Sequence, residues 1–459
     1  MSQQKSFSSS IGAIMAAVGS AVGLGNIWRF PYICGRYGGG AFLVVYLLFV
    51  FLLGSVLMMS EFVIGRRSQH TPMKAFMSLR PDRKGWGVVG LIGIVASFFI
   101  LSQYLVLSGW TTSYLADAVS GRLAALGTDA AAISGYFATF STSAGRPILC
   151  IAIFAIIVLA VILGGVQKGI ENVSKVLMPF LVALVIVLAV RSLTLPGASA
   201  GVQFLFEPDF SKLTGEGILA ALGQALFSLS VGMGVMVVYG SYIPVNDNIF
   251  KTAMWITACD TLIALLAGVA IFPAVFACGF EPTGGPGLVF CVLPNVFNTM
   301  GGAGSIFAAL FFLLLLVAAL TSAISLLEAL SAWFTEHTGA HRKVSAPLFA
   351  LLTVALGALF SLSIEAPDAG LSGTLSHIRL AGMNLFDFVD RLNSIYLPPI
   401  CALGTIIFFG WVMPEEDIKD ELSNHGALRI GYYPIFRFLA RYLAPLALII
   451  VIITGIMLG

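Results

Sequence analysis

The sequence predicts an all-α integral membrane protein with eleven transmembrane helices. Hydrophobic residues make up 58% of the 459-residue chain and charged residues only 10%, and the mean hydropathy is +0.98. A helix needs about 20 consecutive apolar residues to cross a bilayer, and runs of that length recur along this chain. We place these spans at residues 11–37, 41–65, 87–119, 147–166, 172–193, 216–243, 249–278, 304–335, 344–364, 383–413 and 431–457.

Charged loop residues predict the orientation of the spans. Cytoplasmic loops carry an excess of Lys and Arg, and the loop after span 2 holds the strongest basic cluster. We therefore predict a multi-pass protein of the cell inner (plasma) membrane, with a cytoplasmic N-terminal tail at 1–10 and an outer C-terminus. A net charge of +2, without a basic or Gly-rich phosphate motif, does not indicate a nucleic-acid partner. The basic cluster comprises Arg66, Arg67, Lys74, Arg80, Arg83 and Lys84.

Seven ionisable residues fall at membrane depth, where charges are costly and often mark function. For Glu61, Glu328 and Asp387, a buried structural pair explains the charge about as well as a functional role does. Asp260 is harder to explain in this way, because no basic residue lies near it in span 7. An isolated buried carboxylate takes up a proton or binds a cation, so Asp260 indicates a metal ion or a proton relay. The seven residues are Arg29, Glu61, Asp260, Glu328, Asp387, Asp390 and Arg391.

The stretch GSAVGLGNIWRFPY in span 1 predicts a broken helix. Gly19 and Gly23 alone would suit close packing against another helix. Gly25 lies on another face, however, and an Asn and an Arg follow it, so a break near residues 22–25 explains the whole pattern. Irregular backbone in mid-membrane is tolerated only where it lines a cavity, which indicates a ligand site.

Span 6 repeats this pattern in the stretch FSLSVGMGVMVVYGSY, which contains Gly232 and Gly234. Spans 1 and 6 are five spans apart, the offset expected if spans 1–5 and 6–10 are repeats of opposite orientation. Paired Gly-interrupted segments in two such halves mark the binding site of a transporter. We assign the first repeat to 11–193 and the second to 194–413, followed by a cytoplasmic loop and the last helix at 414–459.

Four motifs carry a family resemblance: GSAVGLGNIWRFPY in span 1, YGGGAFLVVY in span 2, SLSVGMG in span 6 and AALTSAIS in span 8. The chain resembles the neurotransmitter:sodium symporters, especially their bacterial amino-acid branch with the leucine and multi-hydrophobic amino acid transporters. The resemblance implies five-plus-five inverted repeats, two sodium sites and a central amino-acid pocket. It implies a transporter in a lipid bilayer, not an enzyme, and leaves the oligomeric state open.

The resemblance also implies two sets of sodium ligands. Oxygen ligands of this kind suit a hard cation, although Thr and Ser at such positions, taken alone, would more simply bond to carbonyls of their own helix. The ligands implied for the second site are the carbonyls of Gly19, Val22 and Ala318 and the hydroxyls of Thr321 and Ser322. Those implied for the first site are Ala21, Asn26, Ser228, Asp260 and the substrate carboxylate.

Ala264 bears on chloride dependence. Chloride-dependent members of the family place a hydroxyl at this position, and some bacterial members place a Glu there. Tyr46, Gln224 and Ser228 match the other chloride-site positions, but Ala264 leaves that site incomplete and Asp260 already supplies a negative charge. We therefore predict chloride-independent transport.

The implied substrate pocket begins at the break in span 1. The amides of Gly23 and Gly25, at the positive end of a half-helix, and the Tyr104 hydroxyl would hold a carboxylate. Amine transporters place an Asp at the Gly23 position, so the glycine favours an amino acid as substrate. A mostly apolar lining with an adaptable Met233 favours a neutral, hydrophobic or aromatic L-amino acid, while small neutral amino acids remain an alternative. The implied pocket residues are Ala21, Gly23, Gly25, Ile100, Tyr104, Phe227, Ser228, Ser230, Met233, Ser322, Ser325 and Leu326.

Two gates and a hinge are implied for alternating access. The N-terminal tail MSQQKSFSSS lacks the Arg and Trp of the family's inner gate, so Lys5 and Phe7 are the expected substitutes. Gly169 and Pro179 in span 5 match a helix-breaking pair of the family, and a static proline kink is the alternative. The implied outer gate is Arg29 with Asp390, and the implied inner gate is Lys5 and Phe7 with Glu336 and Tyr242.

Three rival functions remain open from the residues alone. A proton-coupled carrier would use Asp260 as its proton site, and an amino-acid-gated channel would share the same fold. An intramembrane enzyme would need a second carboxylate beside Asp260 in a matching motif, and the sequence shows no such motif and no nucleophile with a nearby base. The sequence therefore favours a sodium-coupled importer of amino acids.

Overall fold

The computed structural model describes residues 6–280 and 287–458, which are mostly helical. Nine helices in this part of the chain are long and apolar enough to cross a bilayer, and two half-helices that meet at 47° form a tenth span. The bent pair is Ser10–Ala21 and Gly25–Arg36. The nine helices are Gly40–Ser68, Pro81–Val119, Gly145–Leu163, Val166–Leu193, Ile249–Ala277, Gly301–Thr338, Arg342–Leu362, Leu385–Val412 and Tyr433–Met457.

Span 6 is too interrupted to pass as one long helix. It consists of Gly215–Ser228 and Val235–Tyr242, and the residues between them are not helical. The described residues therefore hold helical segments at each of the eleven predicted places, and both predicted breaks are present. Short elements occupy the loops: the helices Pro72–Leu79, Ala130–Ser141, Ala198–Phe206, Leu288–Thr299 and Glu415–Leu422, and the antiparallel strands Glu365–Ala366 and Leu371–Ser372.

The two broken spans lie at the centre of the protein. Every residue of Val235–Tyr242 is buried, whereas large apolar side chains are exposed along Val166–Leu193 and Tyr433–Met457. Span 8, Gly301–Thr338, packs against span 3 and against the first half of span 1. Polar backbone at the breaks is therefore surrounded by protein and kept away from lipid, as mid-membrane breaks require.

Backbone conformation explains why span 6 breaks where it does. Ser230, Gly232 and Gly234 all have left-handed φ values, of +53°, +77° and +73°. A Cβ atom on Gly232 would lie 2.3 Å from the carbonyl oxygen of Pro398, which is far inside contact distance. Only glycine therefore satisfies both the conformation and the space at this position.

We expect Gly232→Ala to lower the thermal midpoint of the purified protein. A left-handed alanine costs about 1–2 kcal/mol, and a clash with backbone cannot be relieved by turning a side chain. The matched control is Gly135→Ala in Ala130–Ser141, where an added methyl group meets nothing within 4 Å. Equal midpoints for the two variants in a detergent melting assay would contradict this account.

The first turns of span 5 are helical in this structure. A π-helical turn, Val166–Glu171, leads into Asn172–Leu193, which contains Pro179. A Cβ on Gly169 would lie 2.1 Å from the Val161 carbonyl oxygen, so close packing against span 4 is sufficient to explain this glycine. The hinge role of Gly169 and Pro179 stays a prediction.

Candidate substrate and ion site

A cavity lies between the breaks of spans 1 and 6 and the side chains of spans 3 and 8. It is narrow in this structure, with about 20 Å³ of free space, enough for about one water molecule. Eleven of the twelve predicted pocket residues line it, and Ser228 lies beside it in the cluster around Asp260. The cavity also has one lining residue, Ser20, that we did not predict. The lining residues are Ser20, Ala21, Gly23, Gly25, Ile100, Tyr104, Phe227, Ser230, Met233, Ser322, Ser325 and Leu326.

One end of the cavity presents hydrogen-bond donors at the break in span 1. The first half-helix ends at Ala21, and the second begins at Gly25. The Leu24 amide donates to the Tyr104 hydroxyl at 2.8 Å, and this hydroxyl also forms a hydrogen bond with Ser322. The Gly23 amide is paired as well, with Asn26 Oδ1, but the N-terminus of a half-helix still favours a negative charge through its dipole. This end of the cavity suits a carboxylate.

The rest of the cavity is apolar in effect, although four serines line it. Ser20 Oγ donates to Ser325 Oγ at 2.8 Å, and Ser325 Oγ in turn donates to the Ser322 carbonyl at 2.8 Å. Ser230 Oγ and Ser322 Oγ both donate to the Ser20 carbonyl, at 3.0 and 3.2 Å. Because these hydroxyls already have partners, they have little need of a polar ligand group. The apolar walls are Ile100, Phe227, Met233 and Leu326.

A buried polar cluster surrounds Asp260, the residue whose charge the sequence left unexplained. Asn26 Nδ2 donates to Asp260 Oδ1 at 2.8 Å, and Ser228 Oγ donates to Asp260 Oδ2 at 2.7 Å. The Asn26 Oδ1 atom accepts from the Gly23 amide at 3.1 Å, which ties the cluster to the break in span 1. Asp260 has no Lys, Arg or His ion pair among residues 6–280 and 287–458. The carboxylate and hydroxyl oxygens are of the type that hard cations prefer, while Asn26 faces them with its Nδ2 and its Oδ1 accepts from the Gly23 amide.

Tyr46, Gln224 and Ala264 are buried beside this cluster. The Tyr46 hydroxyl lies 3.3 Å from Ser228 Oγ, and Gln224 Nε2 donates to the Gly25 carbonyl at 2.8 Å. Ala264 contributes no polar atom where other members of the resembled family have a hydroxyl or a Glu. The nearby negative charge therefore comes from Asp260.

A second group of oxygens lies where span 8 meets the end of the first half-helix. Thr321 Oγ1 and Ser322 Oγ are each 3.4 Å from the Val22 carbonyl oxygen, and Thr321 Oγ1 also bonds to the Ala318 carbonyl at 3.0 Å. A Cβ on Gly19 would lie 3.3 Å from Thr321 Cβ, so Gly19 borders the same group. All five residues predicted for the second sodium site are therefore neighbours.

Comparisons with known proteins agree with this geometry. The model of the "Sodium:neurotransmitter symporter family" matches residues 4–133 and 138–458. The chain belongs to the sodium:neurotransmitter symporter family. It is 41% identical over 456 residues to an uncharacterized sodium-dependent transporter, YhdH, of Bacillus subtilis (strain 168), with 98% of both chains covered. It is 33% identical to an uncharacterized sodium-dependent transporter of Haemophilus influenzae, over 99% of this chain and 98% of the relative.

A solved structure also matches this symporter over nearly its whole length. The crystal structure of MhsT in complex with L-phenylalanine superposes with a TM-score of 0.89 at 40% identity, covering 98% of this chain and 99% of MhsT. The family and the relatives are transporters, so the protein is a sodium-dependent, multi-pass transporter of the plasma membrane and not an enzyme. The predicted fold class and family are confirmed.

The predicted outer gate residues of the symporter are near one another but not in contact. Arg29 lies over the Phe227 ring, with 4.5 Å between its guanidinium carbon and the ring centroid. Its Nη2 atom is 3.5 Å from Ser394 Oγ. Asp390 interacts with Arg29 electrostatically, but no direct ion pair joins them within the described ranges. The gate role of this pair stays a prediction.

Glu336, the acid predicted for the inner gate, has partners from the loop after span 2. Glu336 accepts hydrogen bonds from the amide of Thr71, at 2.9 Å, and contacts the His70 ring. Lys5 lies outside the described residues, so its expected contact with Glu336 is untested. The predicted acid is thus engaged by the loop after span 2.

Phe7 occupies an aromatic pocket beside Val235–Tyr242, the second half of span 6. It is only 3% exposed, and its ring packs edge-to-face on Tyr239 and Tyr242 with centroid distances of 5.8 Å. The Tyr242 hydroxyl donates to Glu328 Oε1 at 2.7 Å, and Glu328 also pairs with Arg342. Glu328 therefore has the structural partners that the sequence analysis allowed for.

Glu61 and Asp387 also have local structural partners. Glu61 Oε1 accepts from the Gly232 amide at 2.7 Å, so this carboxyl group holds the break of span 6. Asp387 lies in the first turn of span 10, where its Oδ2 accepts from Asn384 Nδ2 at 2.8 Å. Both distances are those of ordinary hydrogen bonds, and neither residue lines the central cavity.

Proposed function

We propose that this symporter imports neutral, hydrophobic or aromatic L-amino acids together with sodium by alternating access. The cavity between the two helix breaks carries this proposal, because one end suits a carboxylate and the remaining walls are apolar. The likeness to MhsT, whose crystal structure contains L-phenylalanine, supports an amino acid of this type. Self-paired serines favour an apolar side chain over a polar one, since a polar group would have to displace existing hydrogen bonds.

Two sodium ions fit the proposal. The first would bind at Ala21, Asn26, Ser228 and Asp260 beside the substrate carboxylate, and the second at the oxygens around Thr321 and Val22. The charge of Asp260 alone would balance that of the first ion, and the substrate carboxylate would add a second anionic group beside it. Coupling follows, because removing the amino acid removes one of the anionic groups around the first ion.

Binding of tritiated L-phenylalanine to the purified protein tests the proposal. We expect saturable binding in sodium and at least ~10-fold weaker binding when potassium replaces sodium, which corresponds to about 1.4 kcal/mol. Unlabelled Leu, Trp and Tyr should compete better than Ala or Gly. Equal binding in potassium would overturn sodium coupling and favour the proton-coupled carrier, and stronger competition by Ala would favour a symporter for small neutral amino acids.

Transport should not depend on chloride. Asp260 supplies the negative charge beside the first proposed sodium position, and Ala264 offers no hydroxyl to complete an anion site. Uptake into proteoliposomes should therefore be the same in sodium chloride and in sodium gluconate. A rise in the initial rate upon addition of chloride at constant sodium would refute this prediction.

The repeat boundaries and the orientation belong to the same proposal. Residues 11–193 and 194–413 would move as inverted halves, with the tail at 1–10 in the cytoplasm and residues 414–459 ending outside. The basic cluster after span 2 supports this orientation. A cysteine introduced into Pro72–Leu79 should not react with a membrane-impermeant thiol reagent that is added to intact cells.

A further inference from the structure

The carboxylate of Glu171 joins the N-terminal tail to the cytoplasmic end of span 5. Glu171 Oε2 accepts from the Ser8 amide at 2.7 Å, while Oε1 accepts from the Ser8 hydroxyl at 2.5 Å and from the Ser9 hydroxyl at 3.2 Å. A fourth bond, from Gln167 Nε2 to the Ser6 carbonyl at 2.9 Å, ties the tail to the same turn of span 5. No other described acid accepts more than one bond from this tail.

The Glu171 carboxylate also lies against the first turn of span 1. Its side chain is fully buried, and a Cβ on Gly12 would lie 2.0 Å from Oε1, so a glycine is needed to admit the carboxylate. Ser9, which donates to Glu171, also caps the helix by accepting from the Gly12 amide at 3.1 Å. A negative charge at a helix N-terminus is favourable. The contact thus combines hydrogen bonds with helix-dipole attraction.

We infer that Glu171 is a positioning residue that holds the inner half of span 1 against span 5 while the cytoplasmic side is closed. This inference rests on the proposed function, because inward release requires that half-helix to move. Ser10–Ala21 ends in the carbonyls proposed to bind sodium, and Glu171 lies two residues after Gly169 in the proposed hinge. The tail would then leave span 5 in the same step in which the first turns of span 5 open.

Lys175 makes this contact reversible. Its Nζ lies 2.6 Å from Glu171 Oε1, four residues along the same helix. When the tail leaves, the carboxylate keeps this partner, and water takes the place of the serine donors. The buried acid is therefore never left without a counter-charge, which would be costly.

Hydrogen–deuterium exchange of the full-length protein in sodium tests the inference. Ser8→Asp places a second carboxylate against Glu171, and the repulsion should speed amide exchange in residues 8–21 by at least ~10-fold. Ser6→Asp is the matched control, because Ser6 lies in the same tail and its side chain does not contact Glu171 in the structure. Both serines are exposed, so neither change should prevent folding.

The decisive comparison repeats both substitutions in a Glu171→Gln background. Glu171→Gln alone should speed exchange in residues 8–21. In that background Ser8→Asp should raise the exchange rate by less than a further ~2-fold, because the effects of interacting residues are not additive. Equal effects of Ser6→Asp and Ser8→Asp, or a Ser8→Asp effect that survives Glu171→Gln, would overturn the inference. Because exchange needs no amino acid, a failure of sodium-dependent phenylalanine binding in the unmodified protein would separately overturn the proposed function.

Discussion

Replacing Gly23 with alanine is expected to abolish high-affinity amino-acid binding. A Cβ at this position would lie 2.3 Å from Ser322 Oγ and 2.6 Å from the Tyr104 hydroxyl. Neither hydroxyl can move without losing a bond, because Tyr104 accepts from the Leu24 amide and Ser322 donates to the Ser20 carbonyl. The added methyl group would also occupy the carboxylate end of the cavity. We expect at least ~100-fold weaker binding of tritiated phenylalanine, or about 2.8 kcal/mol.

Gly223→Ala is the matched control for this experiment. Gly223 lies in Gly215–Ser228, in the other broken span, and an added methyl group there meets nothing within 4 Å. Its phenylalanine affinity should stay within about 2-fold of the unmodified protein, since substitutions without a clash are usually within 0.5 kcal/mol. Should the Gly23 variant bind as well as the control, the carboxylate would have to be placed elsewhere.

Asp260→Asn is expected to weaken sodium binding in a protein that still folds. Asparagine retains a hydrogen-bonding group toward Asn26 and Ser228 but removes the only formal charge of that cluster. An ion a few ångströms away loses an attraction of about 4 kcal/mol at an effective dielectric constant of 20, part of which desolvation offsets. We expect the sodium concentration for half-maximal phenylalanine binding to rise at least ~10-fold.

Glu416→Gln is the control for the loss of one acid. Glu416 is exposed on Glu415–Leu422, far along the chain from the cavity, and its sodium midpoint should be unchanged. If Asp260→Asn leaves the midpoint unchanged as well, Asp260 is not a sodium ligand. If phenylalanine binding depends on pH in the unmodified protein but not in Asp260→Asn, the proton-coupled alternative gains support.

The two helix breaks were predictable from the sequence because their cause is local. Glycines that suit left-handed or crowded backbone lie at both breaks, and the polar residues beside them stand out against an apolar background. Ser20 was missed even though it lies inside the stretch that predicted the break. Its neighbours carry the family motif, whereas its own role depends on contacts with Ser325, Ser230 and Ser322 from distant spans.

The contacts of Glu171 and Glu336 were not predictable because they join segments that are far apart in the chain. Ser8 and Glu171 are separated by 163 positions, and no motif links them. The resemblance directed attention to Glu336 instead, whose carboxylate is engaged by His70 and Thr71. Gly169 illustrates a related limit, since a glycine looks the same in sequence whether it weakens a helix or admits a neighbouring carbonyl.

The interruption of span 6 also constrains how the protein enters the membrane. Its halves contain 14 and 8 residues, so at 1.5 Å per residue they are about 21 Å and 12 Å long, and neither crosses a hydrocarbon core of about 30 Å. During synthesis this segment must therefore insert as an unbroken helix that yields later, or wait for its neighbours. The Glu61 carboxylate that accepts from the Gly232 amide lies on span 2, and Pro398 beside it lies on span 10, so the fully packed break needs both of these spans. The central cavity is thus a late product of assembly.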